Sequence, residues 1–173
     1  MIYFILVISM EKRITNPTVI REICEKYNFH FKKGLGQNFL IDGNVIDSIV
    51  EGSAITKEKS VVEIGPGFGA LTQALIESAG KVTSIEIDNS LIPVLQDIFS
   101  YADNFTLINA DVLKTDLNDF IDDNTVLAAN LPYYVTTPIL SHILENKYKF
   151  KTLTVMVQKE VAKRMIASPG TKD

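Results

Sequence analysis

The feature that most constrains the fold is a regular alternation of short apolar runs and amphipathic stretches, which begins near Ser60. Runs that are apolar throughout are typical of strands in a parallel sheet that helices cover on both faces. The sequence therefore predicts an α/β domain with a mainly parallel, doubly wound sheet and right-handed crossovers. The predicted strands are residues 61–64, 82–87, 105–108, 126–129 and 153–157, and the helices between them are residues 70–78, 91–99, 113–121 and 138–144.

Two helices are predicted before this alternation and one after it. Asn16 is a good N-cap and Pro17 suits the first helical position, so a helix is expected over residues 17–27. Asp42 caps a second helix, whose apolar residues share one face. A last helix is expected over residues 158–167. Because a fifth strand and helix normally lead into another strand, the sheet is expected to be incomplete at its carboxyl-terminal side.

Composition excludes several classes of protein. The chain has 173 residues, of which 46% are hydrophobic, and this suits one globular domain. Its net charge of −4 argues against a generally basic nucleic-acid-binding surface, although it permits a local basic face. Cys24 is the only cysteine, so an intrachain disulfide is excluded and a reducing compartment, the cytoplasm, is expected. Two histidines are too few for a structural zinc site, and the apolar first nine residues are too short to span a membrane.

A glycine-rich segment, Gly65-Pro66-Gly67-Phe68-Gly69, joins the first predicted strand to a helix. Glycines here permit a tight turn and let a ligand approach the backbone at the positive end of the helix. The spacing also fits a loose dinucleotide-binding fingerprint. The loop alone does not distinguish a nicotinamide cofactor from S-adenosylmethionine, and a simple strand–helix turn would use the same residues.

Polar side chains follow two further strands. Glu86 ends the second strand, at the distance where an acidic side chain meets ribose hydroxyls. Asp111 follows the third strand, where it could accept a hydrogen bond from an adenine amine or simply cap the next helix. Because the carboxyl ends of parallel strands meet at one edge of a sheet, these groups and the glycine loop are expected to face one crevice.

The fourth predicted strand ends in Asn130-Leu131-Pro132-Tyr133. The exocyclic amine of a base is a poor nucleophile because its lone pair is delocalised into the ring. An amide oxygen and a backbone carbonyl that accept its two N–H groups would localise that lone pair, and an aromatic ring would stack on the base. The motif therefore predicts a site that grips a planar base by its amine, and the alternative is an ordinary Asn-x-Pro turn.

Together with two further motifs, these segments resemble the ribosomal RNA adenine dimethyltransferases. The further motifs are Gln37-Asn38-Phe39-Leu40 and Gln158-Lys159-Glu160-Val161, and all of the motifs occur in the order that the family has. Residues 33–42 and 134–138 are similar to the small-subunit branch of the family more than to the macrolide-resistance branch, which acts on the large subunit.

The resemblance implies a Rossmann-like, S-adenosylmethionine-dependent methyltransferase domain over residues 15–173. Residues 1–14 are expected to be a disordered or loosely held extension. The family's last strands and its C-terminal helical domain would be missing. The implied activity is dimethylation, at N6, of two adjacent adenosines in the 3′-terminal hairpin of small-subunit (16S) rRNA during ribosome maturation. The implied partner is this rRNA or the immature small ribosomal subunit, with no metal, no membrane and no obligate protein partner.

The resemblance also implies a role for each motif residue. Asn38 and Leu40 would lie beside the methionine part of the cofactor, Glu86 would bind the ribose hydroxyls and Asp111 the adenine. The implied cofactor-binding residues are Asn38, Leu40, Gly65, Gly67, Glu86, Asp111 and Asn130. The implied catalytic residues are Asn130, which would contact the target amine, Leu131, which would supply the second carbonyl acceptor, and Tyr133, which would stack on the target adenine.

Three alternatives remain open from the sequence. A nicotinamide-dependent oxidoreductase would explain the glycine loop and Glu86, but it leaves the segment at Asn130 without a purpose. A non-catalytic RNA-binding or ribosome-assembly protein would bind RNA without methyl transfer, and a large-subunit rRNA adenine methyltransferase would share most motifs. RNA binding would need a basic rim around the site, for which the candidates are Lys32, Lys33, Lys147, Lys149, Lys151, Lys159, Lys163 and Arg164.

Overall fold

The computed structural model describes residues 13–29 and 42–167, and the backbone alone at Tyr133. Within these ranges the strands are β1 (Ser60–Ile64), β2 (Lys81–Glu86), β3 (Phe105–Asn109), β4 (Thr125–Asn130) and β5 (Leu153–Met156). The α-helices are α1 (Pro17–Lys26), α2 (Gly43–Gly52), α3 (Ala70–Ser78), α4 (Ile92–Ile98), α5 (Tyr133–Glu145) and α6 (Lys159–Ile166). No helix in the described part of the chain has the length and apolar character needed to cross a membrane.

The strands form one parallel sheet in the order β3-β2-β1-β4-β5, which confirms the predicted doubly wound architecture. From β1 the chain first adds strands on one side, β2 and β3, and then crosses to the other side to add β4 and β5. The order therefore reverses between β1 and β4. A crevice opens at such a reversal, beyond the carboxyl ends of the strands, because the connections leave in opposite directions.

Alternate residues of the central strands enter two apolar layers. On one face, Val61 and Val126 pack with residues of α2, α3 and α4. On the other face, Val62 and Leu127 pack with residues of α5. Helices on both faces explain why β1 and β4 are apolar almost throughout. Strand β3 lies at an edge of the sheet and is partly exposed, which the continuous apolar pattern does not predict.

Most predicted elements are confirmed to within one or two residues, with two corrections. Residues 113–121 do not form one helix but two short 3₁₀ turns, Val112–Lys114 and Leu117–Phe120. Asp111 and Asp116 each cap one of these turns with a side-chain oxygen. Helix α5 begins at Tyr133, five residues before the predicted start, and holds Pro138 inside it.

The amino-terminal boundary also needs correction. Residues 13 and 14 were predicted to belong to a disordered or loosely held extension, but Ile14 is 1% exposed. Its backbone N–H donates to Gln73 Oε1 of α3 over 3.0 Å, and Arg13 pairs with Asp47 of α2. The packed part of the chain therefore includes these two residues. Residues 1–12, the rest of the predicted extension, lie outside the described ranges.

Candidate active site

A cavity of about 340 Å³ opens where the strand order reverses, at the carboxyl ends of β1, β2 and β4. Six predicted site residues line it: Gly65, Gly67, Glu86, Asp111, Asn130 and Leu131. The structure thus brings together groups that are separated by up to 66 positions in the sequence, from Gly65 to Leu131. The predicted residues Asn38 and Leu40 and the Tyr133 side chain lie outside the described part of the chain.

The glycine loop forms the floor of the cavity. Gly65 and Gly67 have φ of 68° and 59°, in the left-handed region where a side chain is strained. Gly69, the N-cap of α3, has φ of 89°, and a Cβ added there would lie 2.4 Å from Cε2 of Phe99. The loop therefore needs glycine both to turn and to pack against α4. Its tight turn leaves backbone open to the cavity at the amino end of α3, where partial positive charge accumulates.

Glu86 lies at the end of β2 and is 5% exposed. Its Oε1 accepts the Asp88 N–H over 2.8 Å, and its Oε2 accepts the Gly67 N–H over 3.4 Å. Burial raises the pKa of Glu86, and these two backbone donors oppose the rise. Two carboxylate oxygens can accept about four hydrogen bonds, so the group keeps capacity for hydroxyl donors from a ligand.

Asp111 lies just after β3, beside the cavity, and acts as a cap. Its Oδ1 accepts the Leu113 N–H over 3.1 Å, and its Oδ2 lies 3.4 Å from Lys114 Nζ. The capping role that the sequence left open is therefore present. It does not prevent ligand binding, because the side chain is 28% exposed and lines the cavity with capacity for a further donor.

Asn130 ends β4 and lines the cavity beside Leu131. Within the described ranges its side-chain amide has no hydrogen-bond partner, so no neighbour competes for its oxygen. The carbonyl of Pro132 accepts the Val135 N–H over 3.1 Å and the Thr136 hydroxyl over 3.1 Å, as part of the start of α5. Of the two carbonyls after Asn130, that of Pro132 is thus already engaged, which favours Leu131 as the predicted second acceptor.

Glu63, which was not predicted as a site residue, lies inside β1 and is 1% exposed. Its Oε2 accepts the Thr72 hydroxyl over 2.7 Å and the Ser84 hydroxyl over 2.5 Å. Its Oε1 is buried without a hydrogen-bond partner among the described residues, and Glu63 is one of the residues that line the cavity. The available signal was a single acidic residue in the apolar run Val61-Val62-Glu63-Ile64, directly before the glycine loop.

The amino-terminal segment forms one wall of the cavity, which the sequence analysis also missed. Ile14 and Ile20 line the cavity opposite the strand ends. Phe29, after α1, packs edge-to-face on Phe68 of the glycine loop, with ring centroids 4.9 Å apart. These contacts are apolar and long-range, so no local sequence pattern reports them.

The predicted basic rim is only partly at the site. Lys147, Lys149 and Lys151 lie between α5 and β5, and the Lys151 N–H donates to Thr125, the first residue of β4, over 2.8 Å. This connection lies at the amino-terminal ends of the strands, away from the cavity. The assignment of these three lysines to the rim is therefore wrong. Helix α6, with its exposed Lys159, Lys163 and Arg164, begins after Met156, which lines the cavity. Lys32 and Lys33 lie outside the described residues.

This architecture defines a class: a Rossmann-like domain with a glycine loop after β1, an acidic residue ending β2 and an amide ending β4, all facing one crevice. A family model described as ribosomal RNA adenine dimethylase matches residues 28–173. The chain belongs to this family. The nicotinamide-dependent oxidoreductase considered above is a different class of protein, and the family match rules it out.

Individual relatives agree with this assignment. The chain is 55% identical over 155 residues to ribosomal RNA small subunit methyltransferase A of Clostridium acetobutylicum, covering 88% of this chain and 56% of the relative. It thus spans little more than half the length of this relative. The fold is similar to a dimethyladenosine transferase from Plasmodium falciparum, with a TM-score of 0.65, 31% identity, and coverage of 75% of this chain and 46% of that chain. It is also similar to the 23S rRNA methyltransferase ErmE, with a TM-score of 0.63, 32% identity, and coverage of 73% and 50%.

Proposed function

We propose that the chain is the S-adenosylmethionine-binding and catalytic part of an enzyme that dimethylates two adjacent adenosines of small-subunit rRNA at N6. The observation that carries the proposal is that Asn130 and Leu131 line the same cavity as Glu86 and Asp111. The acceptors for a target amine therefore lie beside the groups suited to a nucleoside cofactor. The much higher identity to a small-subunit enzyme than to ErmE favours the small-subunit RNA as substrate.

The residues present fit S-adenosylmethionine. A volume of about 340 Å³ lies in the range of small-molecule sites. Glu86 has spare acceptor capacity for the ribose hydroxyls, and Asp111 for the adenine amine. Gly65 and Gly67 leave room for close approach to the backbone, and Asn38 and Leu40 are proposed on the family resemblance alone. When bound, the cofactor supplies an electrophilic methyl group, so the protein has to provide orientation and electrostatics.

The proposed role of Asn130 follows from its position and its unengaged amide. Its side-chain oxygen and the Leu131 carbonyl would accept the two N–H groups of the target amine and hold its lone pair toward the methyl donor. These acceptors are most useful as positive charge develops on the amine nitrogen during transfer, because both oxygens carry partial negative charge. Tyr133, the first residue of α5, would stack on the adenine.

The proposal is tested by Asn130→Ala, with Asn124→Ala as the matched control. Asn130 is the last residue of β4, whereas Asn124 directly precedes the first residue of the same strand, is exposed, and lies at the amino-terminal end, away from the cavity. Loss of one preorganised acceptor is expected to lower the rate roughly a hundredfold. The measurement is transfer of labelled methyl groups from S-adenosylmethionine to immature small-subunit particles, with the wild-type chain as reference.

Three results of this assay would contradict parts of the proposal. A rate for Asn130→Ala equal to that of the wild type would refute the catalytic role of the amide. A wild-type chain that binds the particles but transfers no methyl groups would support the non-catalytic alternative instead. Methylation of large-subunit rather than small-subunit rRNA would overturn the proposed substrate.

A further inference from the structure

Tyr134 is a large aromatic residue at the rim of the cavity. It is the second residue of α5, lines the cavity together with Asn130, and is nevertheless 57% exposed. Thr137 and Pro138, three and four residues later, are exposed as well, whereas Ile139 is buried. Residues three and four apart share one side of a helix, so Tyr134 begins the solvent-facing side of α5 at the point where that side meets the cavity.

Two other exposed apolar residues line the cavity, and they lie in its other half. Ile87 comes directly after β2 and Leu113 comes after β3, in the half that also holds the groups proposed for the nucleoside of the cofactor. Tyr134 comes after β4, across β1 from those strands. Its half of the crevice is the one proposed to hold the target adenine, so the contacts proposed for the cofactor do not involve its ring.

Basic residues lie on the same side of the sheet as Tyr134. Helix α6 follows β5, which pairs with β4, and it carries the exposed residues Lys159, Lys163 and Arg164. Proteins bind single-stranded nucleic acid with exposed rings and cations, because rings stack on bases and cations attract phosphate groups. The rim on this side is therefore suited to a nucleotide that lies outside the cavity.

The position of Tyr134 differs from the one proposed to stack on the target adenine. That role is proposed for Tyr133, and consecutive residues of an α-helix are about 100° apart around its axis. When one base leaves a stack to enter a pocket, the base beside it loses a stacking partner, and this loss costs free energy. An exposed ring at the rim of the pocket can replace that partner.

We propose that Tyr134 binds the nucleotide next to the target adenosine, by stacking on its base while the target occupies the cavity. This inference rests on the proposed function, because it adds a second base to the RNA site. The stacked ring positions the RNA chain and favours a neighbour with a large planar base. In the proposed substrate the two target adenosines are adjacent, so each of them has a purine beside it.

The test is a double-mutant cycle between Tyr134 and the neighbouring nucleotide, measured as the affinity of rRNA hairpins for the 173-residue chain. In the parent hairpin, guanosine replaces one of the two adenosines, so that a single target remains. Two further hairpins each carry an abasic nucleotide, one on the 5′ side of that target and one on its 3′ side. Fluorescence anisotropy measures the affinity of each hairpin for the wild type and the variants.

Tyr134→Ala should weaken binding of the parent hairpin by about 5- to 150-fold, the usual effect of losing one stacked base. One of the two abasic hairpins should bind the wild type more weakly and show no additional loss with Tyr134→Ala, because its stacking contact is already gone. Tyr134→Phe keeps the ring and should bind the parent hairpin like the wild type. Tyr101→Ala is the matched control and should have no effect, since Tyr101 is 52% exposed but lies between α4 and β3, at the amino-terminal ends of the strands.

The outcomes separate this inference from the proposed function. A wild-type chain that binds none of the hairpins would refute the proposed RNA substrate, and this inference with it. If the wild type binds them but Tyr134→Ala weakens all three hairpins by the same factor, or weakens none, then Tyr134 does not stack on a neighbouring base. An equal loss in Tyr134→Phe would assign the contact to the hydroxyl group and overturn the stacking. Calorimetry with S-adenosylmethionine completes the test, because an equally large loss of cofactor affinity in Tyr134→Ala would make the ring part of the cofactor site instead.

Discussion

The central strands β1, β2 and β4 differ sharply in burial from the segment that follows them, residues 153–166. In β4, the four residues from Val126 to Ala129 are all 0% exposed. In the following segment, Leu153 is 37% exposed, α6 has no buried residue, and Ile166 is 83% exposed. Of the six predicted site residues that line the cavity, all but Asp111 lie in these strands or directly after them, and from the second region the cavity takes only Met156. The proposed cofactor site thus lies in the best-packed part of the chain, where side chains have little freedom to move.

The largest expected effect compares two leucines that face each other across β4 and β5. Leu127 and Leu153 are register partners, but Leu127 is fully buried and Leu153 is not. Leu127→Ala should lower the free energy of unfolding by about 2–5 kcal/mol, since it leaves a cavity. Leu153→Ala should cost about 1 kcal/mol or less, since part of its surface is already in water. Urea denaturation measures both, and equal costs would show that the two regions are packed alike.

Much of the central region could be predicted because local chemistry and tertiary structure agree there. Helix α3 begins and ends at the predicted residues, because Gly69 is its N-cap and its apolar residues are regularly spaced. Asn16 and Asp42 cap their helices as expected, each with a side-chain oxygen on a backbone N–H. The crevice residues were predictable because parallel strands place their carboxyl ends together.

Other features could not be predicted because tertiary packing decides them. Helix α5 starts among β-branched and aromatic residues that disfavour helix, and burial of Ile139 and Ile143 against the sheet outweighs that preference and the lost hydrogen bond at Pro138. The direction of Glu63 depends on hydroxyls from two other elements, so the sequence could not show that one oxygen lacks a partner. The position of Lys151, by contrast, was predictable: it precedes β5, and in a parallel sheet the residues before a strand lie at the amino-terminal ends of the strands, away from the cavity.

The second prediction tests whether cofactor binding belongs to the central region alone. Glu86→Ala should weaken the binding of S-adenosylmethionine by about 1.5–3 kcal/mol, because it removes a charge-assisted hydrogen-bond acceptor. Glu160→Ala, the same change on the exposed face of α6, should have no effect. Calorimetry on variants shown by circular dichroism to be folded measures both. Unchanged affinity in Glu86→Ala would remove Glu86 from the site, and weakened affinity in Glu160→Ala would extend the site to α6.

The smallest expected effect concerns RNA rather than cofactor, and it asks what the exposed segment contributes. Lys159 and Lys163 are four residues apart on α6 and therefore share one side of the helix. They follow β5, at the carboxyl ends of the strands, where the cavity lies. Lys149 and Lys151 precede β5 and lie at the opposite, amino-terminal ends of the strands. The two pairs carry equal charge, so any difference between them reports position and not net charge.

Replacing Lys159 and Lys163 together by Ala should weaken binding of the 3′-terminal rRNA hairpin a few-fold and reduce its salt dependence. The log–log slope should fall by about 0.7–0.9 for each phosphate group that the variant no longer neutralises. The Lys149/Lys151 double variant should change neither the affinity nor the slope. Fluorescence anisotropy across a salt series measures both, with S-adenosylmethionine affinity as a check that the site is intact. Equal losses in the two variants would mean that RNA responds only to total charge. A loss of RNA affinity in the Lys149/Lys151 variant alone would place the RNA at the amino-terminal ends of the strands, away from Asn130. That result would contradict a target adenine in the cavity.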